Sequence, residues 1–286
     1  MADIEFYLES ATDRIHLDSD GGGPFGLSAD SGGFMMPPVS NTFLEGAADG
    51  GVLRSSRVLM RPLDLGIRVI ATTRTEMGAH VARLAKVMRQ KSPLPRVVAE
   101  YASGEIYNLP FRYQSGLEGD YTQYNGDSFS FVLSLMCPDP YWTANNSITL
   151  TIPVASSGRG LLPLLGQLQL ENGSASGVIS IENPGEVDSW PIWEITGPGG
   201  PVTIELDGIG FTIEADLLGG DKRIVNTALG TMVDETGANM YAEFASAPKL
   251  FAIPPGISEV SIFMNSPTAG VSSLIGTYQP RKEVIV

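Results

Sequence analysis

The chain has 286 residues, 43% of them hydrophobic and 17% charged, with 33 Gly and 20 Pro, a composition that favours many turns over long helices. Its formal net charge of -14, with net -5 over residues 1–140 and net -9 over 141–286, argues against a nucleic-acid-binding surface. No apolar run approaches the roughly 20 residues of a membrane helix, the N-terminal Met-Ala-Asp-Ile-Glu-Phe is acidic where a leader is basic, and the lone Cys137 has no disulfide partner, so a soluble protein made in the cytoplasm is expected.

In chain order, Ile4, Phe6 and Leu8 alternate with Glu5, Tyr7 and Glu9, and the chain resumes with Ile15 and Leu17, which predicts an N-terminal hairpin. Gly21-Gly22-Gly23-Pro24-Phe25-Gly26 breaks the periodicity. It lacks the Gly-Lys-Ser/Thr of a phosphate loop, so residues 20–38 are expected to form a flexible or partner-ordered loop. Residues 52–72 return to strand composition. Thr73-Arg74-Thr75-Glu76 has capping-box spacing, and Met77, Val81, Leu84, Ala85 and Met88 form one stripe, predicting a helix from Thr73 to Gln90. Val97, Ala99 and Tyr101, with Tyr107, Leu109 and Phe111, form a second hairpin.

Phe129, Phe131, Leu133, Leu135 and Cys137 recur every second residue, the period of a strand with one face on a core. Pro138 and Pro140 lack the N–H a ladder needs, so the strand stops there. The corner Cys137, Pro138, Asp139, Pro140, Tyr141 and Trp142 is read as the hinge of a two-domain protein, with domains 1–140 and 141–286 and Trp142 buried against both. Cys137 is expected to be a small core residue.

Ile148, Leu150 and Ile152 open the second half. Val178, Ile179 and Ile181 lead to Asn183-Pro184-Gly185 and then to Trp190-Pro191-Ile192-Trp193. Val202, Ile204 and Leu206, the Asp207-Gly208 turn, and Phe211 and Ile213 make a hairpin, followed by strands at 222–226 and 260–264. Loops are expected at 114–126 and 156–160, and turns at Asn145-Asn146-Ser147 and Asn172-Gly173-Ser174. The fold class expected is mainly β with one helix: an N-terminal α+β domain followed by a C-terminal antiparallel β-sandwich.

Three stretches stand out together: the aromatic strand running into Cys137-Pro138-Asp139-Pro140-Tyr141-Trp142, the Asn183-Pro184-Gly185 turn with Trp190-Pro191-Ile192-Trp193-Glu194-Ile195-Thr196-Gly197-Pro198, and Ile253-Pro254-Pro255-Gly256-Ile257-Ser258. In these, and in their order around a central corner, the sequence resembles the distal tail (Dit) proteins of long-tailed, siphovirus-type bacteriophages, a minor tail protein family. The resemblance implies a tail-tube-like N-terminal domain that forms a homo-oligomeric ring, typically a hexamer, and an outward β-sandwich. It implies a place at the distal end of the virion tail. The partners implied are the tail tube protein, the tape measure protein and the tail-tip or baseplate proteins. The large inserted carbohydrate-binding module of some relatives has no counterpart here.

The competing reading is a carbohydrate-binding or glycoside-cleaving β-sandwich. Thr203, Glu205 and Asp207 share one strand face and Thr212, Glu214 and Asp216 lie on the facing strand, which places carboxylates in pairs, as glycoside hydrolysis requires. There is no Gly-x-Ser-x-Gly, and His16 and His80 have no companions at metal-ligand spacing, so no enzyme, metal or cofactor is expected.

Overall fold

The computed structural model describes residues 4–18, 22–46, 49–118, 128–152 and 174–285. It is mainly β with one α-helix among the described residues, and divides into two compact units, Met1–Asn145 with Lys282–Val286, and Asn146–Arg281. The division falls five residues beyond the corner at 140. The chain also returns to the first unit at Lys282, so it crosses between the units twice. The expected loop at 156–160, most of the one at 114–126, and Asn172-Gly173 lie outside the described residues.

In the first unit, β1 (Ile4–Glu9), β2 (Arg14–Leu17), β7 (Arg96–Tyr101), β8 (Ile106–Pro110), β11 (Trp142–Ala144) and β21 (Arg281–Lys282) form one sheet in the order β2-β1-β7-β8-β11-β21. A second sheet runs β3-β6-β10-β9, from β3 (Phe25–Leu27), β6 (Arg61–Ile70), β10 (Ser128–Cys137) and β9 (Arg112–Ser115). Both predicted hairpins are present, with Leu8 opposite Ile15 and Val97 opposite Leu109. β10 pairs with β6 along its whole length, Ser128 opposite Ile70 through to Cys137 opposite Arg61. Its inward residues Leu133, Leu135 and Cys137 join Leu63, Leu65, Ile67 and Val69 in a core shared with the other sheet.

The helix α1 spans Arg74–Met88. Thr73 caps it, its hydroxyl accepting from the Glu76 N–H at 3.2 Å. The Glu76 carboxylate reaches back to Thr72, accepting from its N–H at 2.9 Å and its hydroxyl at 2.7 Å, one residue earlier than the predicted box. Such a cap stabilises a helix by about 1 kcal/mol. Met77, Leu84, Val87 and Met88 are buried in the same core, so the stripe includes Val87, which the sequence reading left out.

Within 22–38, the described part of the stretch expected to be a flexible or partner-ordered loop, a short strand is present. Phe25-Gly26-Leu27 pairs with β6, and Phe25 is buried. The next turn lies so close on β6 that a Cβ at Gly66 would stand 2.1 Å from the Ser28 hydroxyl oxygen. That hydrogen-bonded contact, Ser28 N–H to Gly66 O at 2.8 Å, substitutes for local periodicity.

The second unit is a two-layer antiparallel sandwich. One sheet runs β12-β20-β14-β17-β18, from β12 (Ile148–Ile152), β20 (Ser273–Tyr278), β14 (Ile192–Thr196), β17 (Lys222–Asn226) and β18 (Thr231–Val233). The other runs β13-β19-β15-β16, from β13 (Ser174–Asn183), β19 (Gly256–Asn265), β15 (Val202–Leu206) and β16 (Ile209–Ile213). Trp193, Ile195, Val225 and Leu274 from the first sheet share a core with Ile181, Ile204, Phe211, Ile213 and Val260 from the second. The β15–β16 hairpin closes on Asp207 (φ 51°) and Gly208 (φ 76°), both in the left-handed region that a tight two-residue turn demands. Among the described residues no helix is long and apolar enough to cross a membrane.

Candidate assembly surface

Within the first unit one element has no core of its own. β4 (Val39–Glu45) and β5 (Gly51–Val58) pair only with each other, a two-stranded ribbon joined through residues 46–50. Every residue of β4 is exposed, and so is β5 as far as Arg57. Phe43 sits opposite Leu53 and Val39 opposite Val58 on one face, with Leu44 opposite Val52 on the other. Phe43 is 58% exposed and Val52 72%. An isolated two-stranded hairpin is marginally stable in water, and clustered exposed apolar side chains mark a surface that another molecule covers.

The base of the ribbon continues this surface. Met35, Met36, Leu59 and Met60 are all exposed, and methionine adapts its unbranched, polarizable side chain to irregular partners. Beneath them lies Arg61, 1% exposed. Its Nε donates to the Pro140 carbonyl at 2.6 Å, its Nη1 to Gly33 O at 2.7 Å and to Met35 O, and its Nη2 to Glu283 O at 2.6 Å. Burial pushes its pKa down from the ordinary arginine value.

The predicted hinge residues are placed beside this arginine. Cys137 is a buried free thiol whose pKa burial pushes up to about 12, a core residue and not a nucleophile. Asp139 Oδ1 accepts from the Tyr141 N–H at 3.1 Å and tightens the corner. Trp142 is fully buried in the first unit's core, stacked on Phe34. Its strand pairs with β8, Thr143 opposite Asn108, which carries the ring into that core.

The sandwich motif is a buried polar node. Asn183 Nδ2 donates to Ile253 O at 2.9 Å and Val187 O at 3.1 Å, while its Oδ1 accepts from Gly185 N–H at 2.9 Å and Ser189 Oγ at 3.3 Å. Two stretches singled out separately in the sequence, 183–185 and 253–258, therefore meet at one side chain. Pro184 lies exposed in this turn, Pro191 is buried and accepts from Thr227 Oγ1 at 2.7 Å, Trp193 is buried, and Trp190 is exposed.

The carboxylate pairing does not form. Thr203 faces Thr212, their hydroxyls 2.9 Å apart, but Glu205 faces Gly210, because Asp207 is used up in the turn. Glu214 lies four residues from that position, roughly 13 Å along a strand, beyond the roughly 5–9.5 Å of a glycosidase pair. An open groove of about 330 Å³ on this sheet, lined by Val178, Thr203, Glu205, Ser261 and Phe263 among others, holds a single carboxylate.

The sequence reading missed β4, the methionines and Arg61. A signal for the hairpin was present, since Gly46-Ala-Ala-Asp-Gly-Gly51 is flanked by Phe43-Leu44 and Val52-Leu53. Nothing in the sequence distinguishes Arg61 from a surface arginine.

No family model matches the chain, and no curated protein sequence does. Among solved structures, the crystal structure of the SPP1 Dit (gp 19.1) protein, a hub adsorption apparatus protein of phages infecting Gram-positive hosts, is similar with a TM-score of 0.66 at 14% identity, covering 98% of this chain and 99% of that one. A chain of the phage P2 baseplate in its activated conformation with calcium is similar with a TM-score of 0.52 at 11% identity, over 99% of this chain and 100% of that one. At these identities the likeness is one of fold, and it bears out the resemblance to distal tail proteins at that level.

Proposed function

We propose, from the fold this chain shares over nearly its whole length with a phage distal tail protein, that it is a structural protein of a long-tailed phage virion. It assembles through its first, tail-tube-like unit into a ring, hexameric as in the family it resembles, at the distal end of the tail. There it joins the tail tube to the tail tip or baseplate, beside the tape measure protein, after synthesis in the host cytoplasm. Its work is assembly, not catalysis.

The observation that carries this reading is the β4–β5 ribbon with its methionine base. A monomer leaves Phe43, Leu53, Leu44 and Val52 in water, whereas a neighbouring subunit in a closed ring covers the same patch on every copy. Native mass spectrometry and electron microscopy of the purified protein, alone and with the tail tube protein, provide the test. Rings are expected. Phe43→Asp with Leu53→Asp should abolish them while changing stability by only about 0.5 kcal/mol, since both side chains are exposed. A wild-type chain that stays monomeric at high concentration with the tail tube protein present would sink the proposal. The groove beside Phe263 keeps a glycan-binding reading of the second unit open to a separate sugar array.

A further inference from the structure

We propose that residues 282–285 are the buttress that fixes the root of the β4–β5 ribbon, and that Arg61 is the positioning residue joining the two; the assembly consequence rests on the ring reading above. Three strands of observation meet at this point. Ile285, 3% exposed, is packed in the first core, and its N–H donates to Phe34 O at 3.2 Å. Arg61 holds Glu283 O on one side and Gly33 O and Met35 O on the other, with Pro140 O completing its set. The 33–35 turn is pressed against β6, where a Cβ at Gly33 (φ 95°) would stand 2.4 Å from Pro62 O, so the segment carrying Met35 and Met36 has little room to move.

A guanidinium suits this place because it is planar, permanently charged and equipped with five N–H donors and no acceptor. Buried, it is tolerated only while carbonyl dipoles surround it. Removing one contributor leaves a buried donor without an acceptor, so the four carbonyls hold or loosen together. The residues from Met35 to Val39 lead directly into the ribbon, and Leu59 N–H bonds Pro38 O at 2.9 Å across its base. The 282–285 segment therefore sets the direction in which the ribbon leaves the core.

The test compares the wild-type protein with a chain stopped after Arg281 and with Arg61→Lys, whose compact ammonium cannot fork across four carbonyls. In both, exchange of the Gly32, Asp64 and Leu59 amides, whose bonds to Asp64 O, Gly32 O and Pro38 O pin the 33–38 segment at its two ends, should rise roughly tenfold while α1 and the β7–β8 hairpin keep their protection. The subunit concentration giving half-assembled rings should rise by a similar factor. Should the shortened chain fail to fold, Ile285→Ser in the full chain replaces it. Unchanged exchange at Gly32, Asp64 and Leu59, or a uniform rise across the first unit, would overturn the buttress. Local loosening with assembly unchanged would overturn the positioning role. A wild-type chain that never forms rings would overturn the ring reading and the assembly role with it, while the exchange comparison still decides the buttress.

Discussion

The indole of Trp142 lies nearly parallel to the ring of Phe34, at 12° and 6.2 Å between centroids, and Phe34 in turn packs on Phe6 at 4.9 Å. The stack ties the strand after the proline corner to the loop that leads into the ribbon, inside one core. Trp142→Ala should therefore destabilise the first unit by about 3–5 kcal/mol, the range for truncating a buried aromatic. Segment-resolved amide exchange checks it: protection should fall in β1, in β8 and at Ile285, whose N–H bonds Phe34 O. Full protection there after substitution would mean that the ring contributes little to that core.

Asn183 satisfies four buried or half-buried groups at once. Asn183→Ala leaves the carbonyls of Val187 and Ile253 and the Gly185 N–H without this partner, and a cost of roughly 2–3 kcal/mol is expected for the second unit. Asn183→Asp should also destabilise, because a carboxylate cannot donate to the two carbonyls. Urea unfolding followed by tryptophan fluorescence measures both, and a shift below about 0.5 kcal/mol would contradict the node.

Gly276 sits opposite Trp193 on the neighbouring strand, and a Cβ there would stand 2.6 Å from the indole ring. The ring is fully buried and cannot move aside cheaply. Gly276→Ala is expected to cost about 1–3 kcal/mol by overpacking. Differential scanning calorimetry should show the lowered transition, accompanied by altered Trp193 emission.

Arg83 grips Asp13 in a two-pronged ion pair, Nε to Oδ2 at 2.7 Å and Nη2 to Oδ1 at 2.6 Å, linking α1 to the β1–β2 turn. The hydrogen bonds from Arg83 hold the Asp13 carboxyl below its ordinary range. A depressed carboxylate stabilises the fold above its unfolded pKa of about 3.9, and that stabilisation is lost as pH falls through the lower folded value. With Arg83 half-exposed, Asp13→Asn should cost only about 0.5–1 kcal/mol at neutral pH. The gap between wild type and variant in urea midpoint should narrow steadily from about pH 4 downward. A gap independent of pH would show that the pair is not its source.

The sequence by itself determined the elements whose faces are buried locally. β10, β1, β2, β7, β8 and the β15–β16 hairpin are legible because a half-buried strand writes its environment as alternation. The helix is legible because its cap and its stripe are local chemistry, and the Asn183 and Trp193 stretches because turns demand particular residues. What the tertiary structure decided is everything that depends on residues distant in sequence. β4 is exposed throughout and β5 as far as Arg57, so no alternation of buried and exposed faces marks the ribbon, only the turn residues between its strands. Phe25-Gly26-Leu27 is a strand only because Gly66 admits the turn after it. Arg61 is buried and satisfied only because carbonyls from residues 33, 35, 140 and 283 converge on it, the last of them 222 positions away, and no local rule can gather groups that only a finished fold brings together.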